Sequence, residues 1–230
     1  MEKHTVSASL TDNTKYMNRA LPVKKSFDII ERTLIIGGQN SAFYFIDGFT
    51  KDEIMLKLMD SFLNISADDM PEDATSFSTS CIPYVEVDIL GDFDSIFKNL
   101  LSGVTCLFID GYEAAIAIDC RTYPSRSIEE PDKDKSLRGS RDGFVETIVF
   151  NTALMRRRIR DPHLIMEMYE AGTSTRTDVA LCYMSDRVDR ELLTTIQNKL
   201  EESKSQDLKI AAISCGSSLS AQMVQSISKI

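Results

Sequence analysis

Arg138-Gly-Ser-Arg-Asp-Gly-Phe-Val-Glu-Thr-Ile-Val-Phe-Asn-Thr-Ala-Leu-Met-Arg-Arg-Arg-Ile-Arg-Asp-Pro162 is the stretch on which the reading of the chain turns. It opens with a loop, Arg138–Gly143, carrying two arginines and two glycines. An apolar helical run follows from Phe144 to Met155, and the stretch ends on Arg156, Arg157, Arg158, Arg160 and Asp161-Pro162. Asp142 is placed to cap the helix, because a carboxylate there accepts from the unpaired amides of the first turn. The arginines fall in the last turn, where the helix dipole favours cations. Pro162 disfavours the α conformation at Asp161, so the helix is expected to end there. On a 3.6-residue period Phe144, Ile148, Met155 and Ile159 share one stripe, with Asn151 in its middle. Val145, Val149, Phe150 and Leu154 make the first turns apolar nearly all round. The expectation is a helix buried at its start and wetter at its basic end.

Outward from this stretch, the composition of the 230 residues bounds the answer. The length suits one large domain or two small ones. A net charge of −9 argues against a general nucleic-acid binder. The charge is uneven: residues 1–137 carry −10 and residues 138–230 carry +1. This shift suggests a boundary near residue 137. Cys81, Cys106, Cys120, Cys182 and Cys215 form no CxxC and no paired spacing, so they read as buried thiols of a reducing compartment. With His4 and His163 alone, a zinc site is not expected. The first residues show no apolar signal region, and no apolar run reaches the ~18–20 residues of a membrane span. The stretch given reads as soluble and cytosolic by itself.

Residues 1–24 are polar and read as a flexible leader. Thr33–Ile36 and Ala42–Ile46 are β-rich runs around the turn Gly37-Gly38-Gln39-Asn40, a hairpin ended by Asp47-Gly48. Lys51–Leu63 is an amphipathic helix with Thr50 as N-cap and Glu53 completing a capping box. Ala67–Ser80 is polar and acidic, a loop or short helix. Tyr84–Leu90 alternates as a half-buried strand. Asp92–Leu101 is a helix, and Thr105–Ile109 with Ala114–Ile118 forms a second hairpin through Asp110-Gly111. Residues 25–120 therefore form a first α/β subdomain. A charged linker follows at 121–137. Residues 138–230 form a second subdomain: the opening helix, strands Leu164–Ala171 and Thr177–Met184, a helix Asp189–Ser203, a strand Lys209–Ile213 and a terminal helix Ser220–Ile227. The fold class is α/β (α+β), two small mixed-sheet subdomains joined by the linker.

Few of the motifs carry chemistry. Gly37-Gly38 lacks any GxGxxG or GxxxxGK[ST] context and reads as a turn. Gly139–Gly143 could hold an anion on free amides, but an ion pair or a partner carboxylate accounts for it as well. The arginine cluster has three readings: a solvated helix end, bidentate salt bridges to acidic residues of the first subdomain such as Glu129, Glu130 or Asp132, or a surface for another subunit or anionic lipid. Nucleic acid is the least favoured partner, given the acidic remainder and the lack of interleaved aromatics. No Ser-His-Asp or Cys-His set can be assembled, and His163 reads as a loop residue. Asn151 is expected to bond to nearby backbone. No catalytic residue, metal ligand or cofactor is assigned. The interaction residues are Arg138, Arg141, Asp142, Asn151, Arg156, Arg157, Arg158, Arg160 and Asp161.

The run from Arg138 to Pro162 resembles the spore germination GerA family, A subunit. Asp47-Gly48-Phe49, Glu130-Pro131-Asp132 and Thr175-Arg176-Thr177-Asp178-Val179 carry the same likeness, which extends from about Lys25 to Leu200. Lys25-Ser26-Phe27-Asp28 and the central run also resemble the SpoVAF branch, which is associated with ion release. The resemblance implies an N-terminal domain facing the spore core, with a membrane region of several helices beyond it and the spore inner membrane as the site of the full-length protein. It implies a channel-forming, homo-oligomeric A subunit of a nutrient germinant receptor, with a transporter-like B subunit and a lipoprotein C subunit as partners. After Leu200 the sequence departs from the family pattern: Gln206–Ile230 is Ser-rich and lacks the Pro/Arg-rich lead into a membrane. The functional expectation is a non-enzymatic assembly and regulatory module that gates ion release. The competing expectation is a binding module for a small anion or nutrient between the subdomains, near Gly139–Gly143.

Overall fold

A computed structural model of the chain describes residues 4–82, 86–122, 144 and 146–204. The chain packs as two compact units, Met1–Met168 with Ala180–Asp189, and Tyr169–Val179 with Arg190–Ile230. This division falls elsewhere than the shift of charge at residue 137. The opening helix of the expected second subdomain packs with the first unit. The architecture is mixed α/β, as expected from the pattern of elements.

The first unit is built on one sheet. Its strands are β1 (Ile29–Ile36), β2 (Gln39–Ile46), β3 (Glu86–Leu90), β4 (Thr105–Ile109) and β5 (Ala115–Asp119). They pair antiparallel in the order β1-β2-β4-β5-β3. Both expected hairpins form. In the first, Gly37 and Gly38 are the two turn residues, at φ +53° and +78°. Two successive positive φ values match the twist of the flanking strands, and glycine adopts them without steric cost.

Strand alternation gives the sheet two buried faces. Ala42, Tyr44, Ile46, Cys106 and Phe108 point to one face. It is covered by α1 (Leu10–Ala20) and α4 (Phe93–Leu101), through Leu10, Met17, Phe93, Ile96 and Leu100. Phe43, Leu107, Ile109, Ile116 and Ile118 point to the other. It is covered by α2 (Asp52–Leu63) and α3 (Ala74–Cys81), through Leu58, Phe62, Ala74 and Phe77. A 3-10 turn, Ala67–Asp69, precedes α3, so the polar segment contributes a short helix to the core.

Two local expectations are corrected. Within the expected leader, residues 10–20 form a helix. Ser9 caps α1, its hydroxyl accepting from the Asp12 amide at 3.3 Å. Leu10, Asn13 and Met17 recur at helical spacing and are buried. Before the helix, the Val6 amide donates to the Gly91 carbonyl at 2.9 Å. Thr50 does not cap α2: Lys51 occupies that position and no side chain closes the cap. The Thr50 backbone is committed instead to a bridge with Arg121.

The rest follows the expected order. Asp92 caps α4 by accepting from the Ser95 amide at 2.9 Å. α5 (Ile148–Arg158) is followed by β6 (Leu164–Ala171) and β7 (Thr177–Met184), which form a two-stranded sheet, and by α6 (Arg190–Ser203). In the second unit Arg176 pairs with Glu170, and the Gly172 amide donates to the Ser203 carbonyl at 3.0 Å. The strand expected at Lys209–Ile213, the terminal helix at Ser220–Ile227 and most of the linker lie outside the described residues.

Candidate functional site

Helix α5 begins four residues later than its apolar run. Thr147 is the N-cap, without a side-chain bond, and Phe144 lies outside the helix and 54% exposed. Arg138, Arg141 and Asp142 lie outside the described residues, as do the loop Gly139–Gly143 and the acidic partners Glu129, Glu130 and Asp132. The burial expected of this helix is inverted. Its buried residues are Thr152, Ala153 and Arg156, and Arg156 is fully buried at 0% exposure. Phe150 is 45% exposed and Ile159, past the helix end, 39%.

The buried guanidinium is held by a designed set of acceptors. Arg156 Nε donates to Asp28 Oδ2 at 2.7 Å, and Nη2 donates to Asp28 Oδ1 at 3.2 Å. Nη2 also donates to the Leu164 carbonyl at 2.9 Å, and Nη1 to the Asp161 carbonyl at 3.0 Å. Asp28 is itself buried, at 1% exposure. Ser26 Oγ donates to Asp28 Oδ1 at 2.5 Å and accepts from the Met166 amide at 2.9 Å. The Phe27 amide donates to the Met166 carbonyl at 2.9 Å. One arginine therefore ties α5, the loop after it, the start of β6 and the entry to β1 together. A forked guanidinium suits this, because its rigid donors meet a carboxylate in pairs and carbonyls on the outer edges.

The turn after β2 completes the site. Gly48, at φ +78°, lies against α5: a Cβ there would come within 3.1 Å of both Ala153 Cβ and Val149 Cγ1. The small side chains of Ala153 and Thr152 thus let the helix approach the Asp47-Gly48 turn. The Asp47 amide donates to the Asp28 carbonyl at 2.8 Å. Burial, then the nearby charges of Asp28 and Asp52, raise the Asp47 carboxyl above its usual range, with the Gly48 amide pulling the other way. Burial likewise pushes the Cys182 thiol up to about 11, with Asp28 adding and Arg156 opposing.

The remaining expected residues split from this cluster. Arg157, Arg158 and Arg160 are exposed, and Arg160 Nε donates to the Arg157 carbonyl at 3.3 Å. Asn151 is half-buried. The Asp161 side chain caps the following turn, accepting from the His163 amide at 2.8 Å with His163 Nδ1 also 2.8 Å away. That amide, more than the imidazole, holds the Asp161 carboxyl below its usual range. Sequence reasoning missed Asp28, Ser26 and Gly48 as members of one site. The available signal was the i, i+3, i+4, i+7 set Val149, Thr152, Ala153, Arg156, whose small central residues permit close packing.

A depression of about 440 Å3 is lined by Leu10, Thr14, Glu31, Thr33, Asn40 and Asp110 among others. Its lining holds two carboxylates and no cationic side chain, which does not favour a small anion. Among the described residues, no group of three or more His, Cys, Asp or Glu is placed to hold a metal, and no helix is long and apolar enough to cross a membrane. Cys81, Cys106, Cys120 and Cys182 are free thiols, Cys106 and Cys120 buried as expected.

Known proteins resemble this chain in sequence and in fold. The family described as Bacillus/Clostridium GerA spore germination protein matches residues 15–214. Stage V sporulation protein AF of Bacillus subtilis is 32% identical over 200 residues, covering 86% of this chain and 41% of that protein. Spore germination protein KA of Bacillus subtilis is 29% identical over 201 residues, covering 86% of this chain and 37% of that protein. The chain thus spans about two-fifths of the length of these relatives. The crystal structure of the N-terminal domain of the A subunit of the Bacillus megaterium spore germinant receptor GerK3 has the same fold, with a TM-score of 0.67 over 90% of this chain and 75% of that one, at 20% identity.

Proposed function

Because the chain belongs to the GerA spore germination family, we propose that it is the N-terminal assembly and regulatory module of a germinant receptor A subunit, whose contacts gate ion release in germination. The observation that carries the reading is the division of the arginine cluster. Arg156 is spent on locking α5 into the first unit, while Arg157, Arg158 and Arg160 remain on the surface. A helix fixed this firmly presents its exposed cations at a defined position, which is what a docking surface requires. The full-length protein then sits in the spore inner membrane through a region beyond this chain, with this module facing the core. Its partners are the transporter-like B subunit, the lipoprotein C subunit and further copies of itself.

The test is Arg157→Glu with Arg158→Glu in the full-length protein. Both positions are exposed, so the surface charge reverses, and circular dichroism of the variant checks that the fold is kept. The expected result is impaired complex assembly and slowed germination. Normal germination with normal assembly would remove the proposal.

A further inference from the structure

Helices α1 and α4 lie over β2 and β4 and leave most of the same face of the edge strand β1 uncovered. Glu31, Thr33 and Ile35 alternate onto that face, opposite Tyr44, Ala42 and Asn40 of β2. Thr33 and Ile35 are exposed, Ile35 by 62%. Between this strip and α1 lies the depression of about 440 Å3, a size within the ~300–1,000 Å3 of small-ligand sites. Its two acids stand at opposite ends. Glu31 is paired with Tyr44, while the Asp110 amide donates to the Asn40 carbonyl at 2.9 Å. Asn40 and Tyr44 are four residues apart on β2, roughly 13 Å at the rise of a strand. Solvated surface acids are usually mobile, but these two are half-buried and held. Glu31 Oε1 accepts from the buried Tyr44 hydroxyl at 2.9 Å and Oε2 from the Asn18 amide at 3.1 Å. Asp110 Oδ1 accepts from the Leu10 amide at 2.9 Å. A carboxylate has about four acceptor sites, so both keep capacity to spare. Among the described residues, neither is paired with a lysine, arginine or histidine.

We infer that this depression is a binding site for a linear polyamine, with one terminal ammonium on Glu31, the other on Asp110 and the aliphatic chain between them. Such amines are protonated at neutral pH, like that of a lysine side chain. The lining matches the ligand part by part. The fixed carboxylates receive the charged ends, and their prior ordering lowers the cost of binding. Leu10 and Ile35 offer apolar surface to the methylenes, as such surface does to the stem of a lysine. The Thr14 hydroxyl donates to the Thr11 carbonyl at 3.1 Å, which leaves its lone pairs for an inner amine. A monoamine meets only one of the two acids, and an anion meets both with the wrong sign. The site uses no residue of the arginine cluster, so its failure leaves the assembly role untouched.

Isothermal titration calorimetry of the 230-residue chain with spermidine at low salt tests this, with butylamine and tetralysine as comparison ligands and circular dichroism checking the fold of every variant. Spermidine is expected to bind saturably, one per chain, and to weaken as salt is added. Glu31→Gln and Asp110→Asn should each weaken it about fivefold, and the double variant should abolish measurable binding. Both changes keep an acceptor for the Tyr44 hydroxyl and the Leu10 amide, and Asn18 Oδ1, without a partner among the described residues, can take the new glutamine amide. Thr33→Arg, at an exposed position, places a cation in the site and should block it with both acids intact, which covers the case in which the acid variants do not fold. Asp68→Asn with Asp69→Asn removes the same charge as the double variant from the exposed 3-10 turn and should leave binding unchanged. Loss of binding in that control equal to the loss in the double variant would mean attraction to the net charge alone, and overturns the inference. So does butylamine bound as tightly as spermidine, or no binding of spermidine at all. Tetralysine bound where spermidine is ignored overturns it too, and would assign the depression to a basic segment of a protein partner.

Discussion

Replacing Arg156 by methionine keeps an unbranched stem of similar reach and removes the cation paired with the buried Asp28. An unpaired buried carboxylate costs about 3–5 kcal/mol, so Arg156→Met should lower the unfolding free energy by that amount in urea titrations. Pairing Arg156→Met with Asp28→Asn should destabilise by less than the sum of the two, because the second change removes the charge that the first left stranded. Asp47, two strands' ends away in sequence but bonded to the same aspartate's backbone, gives a pH-dependent counterpart. Its folded carboxyl titrates above the ordinary 3.8, so the folded state binds that proton more readily than the unfolded one. Stability from this group is present below the unfolded pKa and is lost as pH rises through the folded one. Asp47→Asn should therefore raise the urea midpoint at neutral pH, and the gain should vanish in acid, where both side chains are neutral. A contact to acidic residues of the first subdomain was one of three readings of the arginine cluster, and the partner of Arg156, Asp28, was not among the residues it named. Which arginine turns inward was not legible. The decision rests on the small side chains of Thr152 and Ala153 beside it and on an aspartate 128 residues earlier, neither of which alters the local pattern.

Elements form where a local signal and a tertiary demand agree, and the exceptions here are instructive. Gly48 and Gly38 share a φ of +78°, so an alanine at either meets the same backbone penalty. At Gly38 the new Cβ would lie 3.5 Å from Ala67, an ordinary contact, whereas at Gly48 it would press on Ala153 and Val149 at 3.1 Å. Gly38→Ala should cost about 1 kcal/mol, and Gly48→Ala about 1–3 kcal/mol more, because α5 must back away from the turn. Thermal melts of the two variants measure the difference directly. α1 makes a second case. Met17 is fully buried under the sheet, and Met17→Ala should lose about 2–5 kcal/mol, which no flexible leader could show. This helix escaped the sequence reading because its apolar residues are sparse and one of the three residues of its buried stripe is Asn13, whose amide bonds to Ser7. The glycine turn and the alternating strands were legible because their signals are local and strong. The start of α5 was not: an unbroken apolar run marks burial or a binding face equally well, and Phe144, Glu146 and Thr147 are exposed and lie before the helix.

The whole chain was legible as mixed α/β, but charge marked a division in one place and packing in another. Net charge reports which residues face solvent, while units are set by who covers whose apolar surface, and Arg156 draws its helix to the first sheet against the trend in charge. That distinction predicts how the molecule opens. β4 is buried at every position and β5 at all but its last, so their amides should exchange with solvent only when the first unit unfolds globally. α6, in the second unit, buries Leu193 alone and exposes most of its remaining surface. Its amides should exchange through local openings of lower free energy. Arg156→Met should then accelerate β4 and β5 by about a hundredfold or more, the factor that corresponds to a loss of about 3 kcal/mol. The rates in α6 should stay where they are. Hydrogen exchange read by mass spectrometry on peptides from both regions decides the matter. An equal acceleration in α6 would mean that the two units open as one cooperative body, and that the arginine governs the stability of the whole chain.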